Sequence, residues 1–241
     1  MHNRQQQYRC QINLNLYDSP NCESLATQAA AGRLVRIVLP EVDRLDDLKN
    51  DLKNDRPIKV QLCEDDYPGW LKSDDIIHLK PTEEVYQPPI LSTDEIQARL
   101  PGAIAFTQAA MQQPNYYLWG GTVGPNYDCS GLMQAAFASV GIQLPRDAYQ
   151  QAAFTQAISL EELQPGDLVF FGSAVKITHV GLYLGEGRYI HSSGRENGRN
   201  GIAIDVLSPE GDRVTQHYYG ILRGAGRVIA SYQPQEQPQN D

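Results

Sequence analysis

Tyr127-Asp128-Cys129-Ser130-Gly131 places a thiol at the start of a helix. Downstream of it, Met133, Phe137 and Val140 recur at i, i+4 and i+7, and Gly141 is a natural stop. Asp128 has the short acceptor side chain that suits an N-cap. A cysteine in such a first turn meets free amide N–H groups and the positive end of the helix dipole, both of which favour the thiolate. A solitary cysteine in apolar surroundings is more often a small buried hydrophobe, so the assignment needs partners from elsewhere in the chain.

Those partners lie fifty residues on. Ile177-Thr178-His179-Val180-Gly181-Leu182-Tyr183-Leu184 alternates, with Val180, Leu182 and Leu184 on the apolar face and His179 on the other. Gly185-Glu186-Gly187 reads as a three-residue turn whose last glycine supplies a positive φ, and Arg188-Tyr189-Ile190-His191-Ser192 is the returning strand. A three-residue loop pairs Leu184 with Arg188 and puts His191 opposite Gly181, on the face of His179. The two rings are then diagonal neighbours, roughly 7–8 Å apart at the backbone. A two-residue loop would send them to opposite faces.

A thiol at a helix start, an imidazole within reach and a third polar group that fixes the imidazole's tautomer are the parts of Cys–His nucleophilic catalysis. Cys129, His179 and His191 supply them in that order. A free thiol has a pKa of about 8.5, and an imidazolium neighbour with a helix start lowers it to about 3.5–7.5, so an activated thiolate is expected. The Asp128 carboxylate opposes this, and is expected to cap the helix or hold a substrate amine rather than face the sulfur. His2, His78 and His217 have no such context.

The 241 residues suffice for one large or two modest domains. A net charge of -9 excludes a clustered basic surface for nucleic acid and leaves room for small peptide substrates. No stretch approaches the roughly 18 apolar residues of a membrane span, and the start, Met1 to Tyr8, lacks the apolar run of a signal peptide. A cytoplasmic monomer is expected. Of the four cysteines, Cys10, Cys22 and Cys63 are read as small buried residues rather than disulfides, and no spacing suits zinc. No metal or cofactor is expected.

Residues 1–80 read as short strands and turns. Arg9 to Tyr17 alternates as one strand until Asp18-Ser19-Pro20, Leu34–Leu39 and Ile58–Leu62 are two more, and Trp70 leads another after an acidic, aromatic loop. Glu41 to Arg56 is a charged insertion or a short helix. Such strands suggest a small barrel. Residues 81–91 form a linker, because Pro81, Pro88 and Pro89 deny helix and central strand. Ser92 and Glu95 fit a capping box, and the helix they open is expected to be interrupted at Pro101-Gly102. Leu168-Val169-Phe170-Phe171 suits a buried strand. Residues 92–230 make the second domain, and 231–241, rich in Gln, Pro and Asn, are expected to be a disordered tail.

From about Thr93 to Ala230 the chain resembles the NlpC-type family of papain-like cell-wall cysteine peptidases. The resemblance rests on Tyr117-Leu118-Trp119-Gly120-Gly121, Asp128-Cys129-Ser130-Gly131, Leu163 to Phe171, His179 to Leu184 and Ile190-His191. The N-terminal part resembles a bacterial SH3-like domain through its strand spacing and Gly69-Trp70-Leu71 followed by Ile76-Ile77. The resemblance implies an α+β chain: a small N-terminal β-barrel, then a papain-like domain with a central antiparallel sheet.

In that family Cys129 would be the nucleophile, His179 the base and His191 the orienting residue. The bond cut would join γ-D-glutamate to a diamino acid in peptidoglycan stem peptides. The Cys129 N–H and the Tyr117 hydroxyl would stabilise the oxyanion. Members with this layout require a free N-terminal L-alanine, the small domain closing one end of the cleft. The resemblance assigns Tyr67 and Asp147 to that amine, Asp128 and Ser130 to the dipeptide, and Arg146 to the glutamate α-carboxylate or to a surface ion pair. Ala148 departs from relatives that carry a small hydroxyl there. An amidase or acyltransferase of the same superfold, and a wall-binding protein with a vestigial triad, stay open as alternatives.

Overall fold

The computed structural model describes residues 6–38, 56–196 and 198–235. They fall into two compact units, one of Pro89–Tyr232, the other of the residues up to Pro88 together with those from Gln233. The charged stretch Glu41 to Arg56 lies almost wholly outside the described residues.

The first unit is one antiparallel sheet. Its strands are β1 (Gln7–Cys10), β2 (Leu14–Tyr17), β3 (Leu25–Ala29), β4 (Leu34–Ile37), β5 (Ile58–Leu62), β6 (Pro68–Leu71) and β7 (Leu79–Thr82), in the order β3-β2-β6-β5-β4-β1-β7. The single strand expected over Arg9 to Tyr17 is two strands around a corner. β1 pairs with β4 and β7, while β2 pairs with β3 and β6. The alternation survives the corner: Cys10, Leu14 and Leu16 are buried, and only Ile12, at the bend, turns out to 43% exposure. Their neighbours in the core include Val35, Val60, Leu71 and Ile76. Pro81 sits in β7, an edge strand, where its missing N–H leaves no ladder bond unmade. Cys22 is only half-buried, in a turn with φ 53°, unlike the buried Cys10 and Cys63.

The second unit carries α1 (Thr93–Met111), α2 (Cys129–Ala138), α3 (Ala148–Phe154), β8 (Gln156–Ile158), β9 (Leu168–Gly172), β10 (Ile177–Gly185), β11 (Arg188–Ser193), β12 (Gly201–Val206), α4 (Arg213–Gly220) and β13 (Leu222–Arg227). The strands form a six-stranded antiparallel sheet, β12-β11-β10-β9-β13-β8. The Ser92 capping box forms as expected: Ser92 N–H donates to Glu95 Oε2 at 2.8 Å, and Glu95 N–H donates to Ser92 Oγ at 3.3 Å.

The interruption expected at Pro101-Gly102 does not occur, and α1 runs through it for 19 residues. Packing overrides the local penalty, because Ile96, Leu100, Ala103 and Thr107 are all buried along one face. Gly102 serves as a contact point instead: a Cβ there would lie 2.7 Å from the Val140 side chain just beyond α2. The core between these helices and the sheet holds Leu132, Met133 and Phe137 of α2 against Leu168, Phe170, Val180, Leu182 and Ile190.

The hairpin keeps the expected parity by a different route. Leu182 pairs with Ile190 and Tyr183 with Tyr189, but the next pair is Gly185 with Arg188. The turn is therefore two residues, Glu186-Gly187, both with positive φ (54° and 73°), as a type I′ turn requires. A bulge between Tyr183 and Gly185 absorbs the extra residue, so the ladder below retains the three-residue register. A Cβ on Gly181 would lie 3.3 Å from that of His191, which confirms the two positions as opposite.

The expected tail is ordered at its start. Ser231 Oγ accepts from Gln143 N–H at 3.0 Å, and the Tyr232 ring packs edge-on to Phe154 at 5.6 Å. Gln235 N–H donates to Asp66 Oδ2 at 2.6 Å. Residues 236–241 lie outside the described part.

Candidate active site

Asp128 caps α2, its Oδ1 accepting from Gly131 N–H at 2.6 Å, while Oδ2 accepts from Gly120 N–H at 2.9 Å. One carboxylate thus ties the helix start to the Tyr117–Gly121 loop. The approach is so close that a Cβ on Gly131 would sit 2.0 Å from the Gly121 carbonyl oxygen, which only glycine permits.

Arg146 is not a surface residue. It is 2% exposed, with Nη2 2.5 Å from Asp128 Oδ2 and Nη1 donating to Ser130 Oγ at 3.0 Å. A guanidinium removed from water needs an anion at once, and Asp128 is that anion. Asp128, Ser130 and Arg146 therefore form one buried polar cluster directly behind the thiol.

Cys129 is buried in the first turn, its sulfur within hydrogen-bonding reach of the Val180 and Ser130 backbone N–H groups. The first of these follows His179 in the chain, so the thiol lies against β10 at that histidine. His179 Nε2 is 2.7 Å from His191 Nδ1, and His191 Nε2 is 2.8 Å from Asp205 Oδ2. Asp205 also accepts from Arg199 Nε at 3.1 Å, and Arg199 Nη2 reaches Asp212 Oδ2 at 2.9 Å.

This line fixes both tautomers. An ionised Asp205 only accepts, so His191 carries its proton on Nε2 and presents a bare Nδ1. His179 must then donate from Nε2, which leaves its Nδ1 unprotonated as the base. Burial works against the Asp205 charge, but the hydrogen bonds from His191 and Arg199 outweigh it and hold the carboxyl at about 2. The Tyr218 ring lies 4.6 Å from the His179 ring and tilted 30°, and Phe171 flanks His179 at 5.7 Å. The imidazole is clamped between aromatic surfaces.

The resting charges differ from the expected thiolate. Burial, with Asp128 next, pushes the Cys129 thiol up to about 12, against the Val180 N–H, Arg146 and the Ser130 N–H. Burial and then the neighbouring His191 push His179 well below its ordinary value. The pair rests as thiol and imidazole, because each ion alone is poorly solvated there; proton transfer creates both ions together, each the other's counter-charge. Burial, Cys129 and Asp128 all push Tyr117 up, so its hydroxyl stays protonated and can donate.

Asp147 sits at the N-cap of α3, half-buried, with its N–H donating to Gln150 Oε1 at 2.9 Å. Tyr67 belongs to the first unit, on the turn between β5 and β6, where its N–H donates to Asp65 Oδ1 at 3.0 Å. Asp205, Arg199 and Tyr218 are absent from the sequence reading. Asp205 had a usable signal: in Gly201-Ile202-Ala203-Ile204-Asp205 the isoleucines alternate to one face and Asp205 to the other. Pairing of His191 with Ala203 then makes Asp205 its diagonal neighbour.

A thiol at the start of a helix, packed against an antiparallel sheet that carries two linked histidines, defines a papain-like α+β domain. Residues 114–223 match the NlpC/P60 family, and residues 16–76 match the bacterial dipeptidyl-peptidase SH3 domain. The chain carries an NlpC/P60 domain, preceded in sequence by a bacterial dipeptidyl-peptidase SH3 domain.

Among curated relatives, a bifunctional muramidase/DL-endopeptidase of Bacillus subtilis is 49% identical over 81 residues, 32% of this chain and 25% of that one. A gamma-D-glutamyl-L-lysine dipeptidyl-peptidase of the same organism is 40% identical over 95 residues, 38% of this chain and 30% of that protein. The chain thus aligns with a third or less of either relative. A crystal structure of an NlpC/P60 family protein from Bacillus cereus covers 94% of this chain and 64% of its own at 23% identity, with a TM-score of 0.45.

Proposed function

We propose that this chain is a cysteine peptidase of peptidoglycan stem peptides. It hydrolyses the bond between γ-D-glutamate and the following diamino acid, requires a free N-terminal L-alanine, and releases L-Ala-γ-D-Glu during wall-peptide recycling in the cytoplasm. The observation that carries this reading is the hydrogen-bonded line from His179 through His191 to Asp205, beside a thiol at a helix start. The match to a dipeptidyl-peptidase SH3 domain and the relative named for a γ-D-glutamyl bond support the substrate class.

In this mechanism Cys129 Sγ attacks the γ-amide carbonyl carbon as its proton passes to His179 Nδ1. The oxyanion takes hydrogen bonds from the Cys129 N–H, which has no intrahelical partner at this position, and from the Tyr117 hydroxyl. Collapse breaks the C–N bond, and the imidazolium returns its proton to the departing amine. Water, deprotonated by His179, then hydrolyses the thioester and restores the thiol. His191 and Asp205 hold the base in its required tautomer throughout. Asp147 is assigned to the substrate amine. Arg146 supports Asp128 from behind, and the glutamate α-carboxylate is assigned to it.

Release of the dipeptide from L-Ala-γ-D-Glu-diaminopimelate, followed by chromatography, tests the reading. Turnover that vanishes in Cys129→Ala and on the N-acetylated peptide is expected. Equal cleavage of the acetylated peptide, or no cleavage of either, would overturn it.

A further inference from the structure

A cavity of about 270 Å³ lies on the α4 side of the site, lined by Arg195, Glu196, Gly198, Arg213, Val214 and His217. No residue of the mechanism lines it, yet its walls are one residue away from the machinery. Arg195 follows Gly194, where a Cβ would lie 3.6 Å from the Tyr117 ring. His217 precedes Tyr218, the ring against His179, and is close enough to depress the His179 pKa.

The cavity and the Arg146–Asp147 region occupy different flanks. The helix α3 that follows Asp147 packs on β10 and β9, whereas α4 packs on β12 at the far edge of the sheet. With the acyl half of the substrate on the α3 flank, the α4 flank receives the leaving amine.

The charges in the cavity are uncommitted. Arg199 next door is occupied by Asp205 and Asp212, but Arg195 and Arg213 make no ion pair among the described residues, and neither does Glu196. Two free guanidiniums beside a cleft are notable in a chain of net charge -9. Guanidinium forks match carboxylates, and a single carboxylate among them matches an ammonium. The volume, below the roughly 300–1,000 Å³ of drug-sized sites, suits one amino-acid residue.

We propose that this cavity holds the leaving residue and selects a diamino acid whose side chain ends in both an ammonium and a carboxylate, such as diaminopimelate, over lysine. Arg195 and Arg213 take the terminal carboxylate, and Glu196 takes the ammonium. Lysine offers only the ammonium and leaves both guanidiniums unmatched, a mismatch that polar sites reject strongly. The proposal deepens the peptidase reading and rests on it.

The test compares kcat/KM for L-Ala-γ-D-Glu-diaminopimelate and L-Ala-γ-D-Glu-lysine. A preference of about tenfold or more for the first is expected, falling at least tenfold toward unity in Arg195→Gln/Arg213→Gln, mainly through KM. Both side chains are exposed, so the variant should fold. Equal cleavage of the two peptides by the unaltered enzyme, or a ratio unmoved by the double substitution, would overturn the assignment. If neither peptide is cut, the peptidase reading fails, and the cavity is judged by calorimetric binding of the two peptides to Cys129→Ala. A preference for the diaminopimelate peptide that is lost with both arginines supports it; no preference overturns it.

Discussion

His191 Nε2 stands 2.8 Å from Asp205 Oδ2, and through this one contact a carboxylate on β12 sets which nitrogen of His179, on β10, is free to accept a proton. The carboxylate touches neither Cys129 nor His179. Its influence passes through the intervening ring.

Asp205→Asn keeps the shape but replaces the charge, and its amide can donate to His191 Nε2 and reverse both tautomers. Peptide turnover should fall by about 10²- to 10⁴-fold, the range seen when a general base loses its orientation. The loss should be in kcat more than KM, and the pH–rate profile should change shape. An unchanged kcat would remove Asp205 from the mechanism.

Arg146→Met strands the Asp128 carboxylate, buried beside Ser130. Denaturant unfolding should show a loss of roughly 3–5 kcal/mol, as for broken buried pairs generally. Arg146→Lys should retain part of this, since an ammonium satisfies the charge but not both Oδ atoms. A loss below about 1 kcal/mol would show the ion pair to be exposed in solution.

Gly131→Ala should abolish activity and cost several kcal/mol, because the new methyl would meet the Gly121 carbonyl oxygen at 2.0 Å. Gly220→Ala is the contrast: nothing lies within 4 Å of its Cβ position, and stability should stay within about 0.5 kcal/mol. Melting temperatures of the two variants side by side provide the check.

Stability should decline on acidification earlier than carboxylates alone would cause. Burial pushes both His179 and His191 below the ordinary 6.5. Below pH 6.5 the unfolded imidazoles take up protons that the native ones refuse, so the unfolding free energy falls as pH drops. Asp205 behaves differently: held at about 2, its contribution is complete above pH 3.8 and is lost only as pH falls from there through about 2. Melting temperature should fall between pH 7 and 5, and fall less in His179→Gln/His191→Gln. Parallel slopes for the two proteins would count against neutral buried histidines.

Much of the site was legible because its signals are local. The Asp128 cap, the helix period after Cys129 and the alternation around His179 each depend on neighbours within one or two turns. The parity of His179 and His191 came out as expected although the turn is one residue shorter, since the bulge at Tyr183–Gly185 compensates. The burial of Arg146 was not legible, because a charged side chain is normally solvated and its partner Asp128 lies 18 residues away. Pro101 was misread for the complementary reason: a local rule about proline lost to the burial of Ile96, Leu100, Ala103 and Thr107.

The order of elements, the placement of the thiol at a helix start and the choice of His179 and His191 follow from residue type and short-range periodicity, which a single chain displays without folding. The partnership of Asp205 with His191, the burial of Arg146 against Asp128, the clamp of Tyr218 on His179 and the charged cavity between Arg195 and Arg213 belong to the tertiary structure alone. Each joins segments distant in sequence or sets the spacing of side chains across a packed interface. Local propensity carries no information about such distances; they are decided when the core closes and the buried polar groups must find one another.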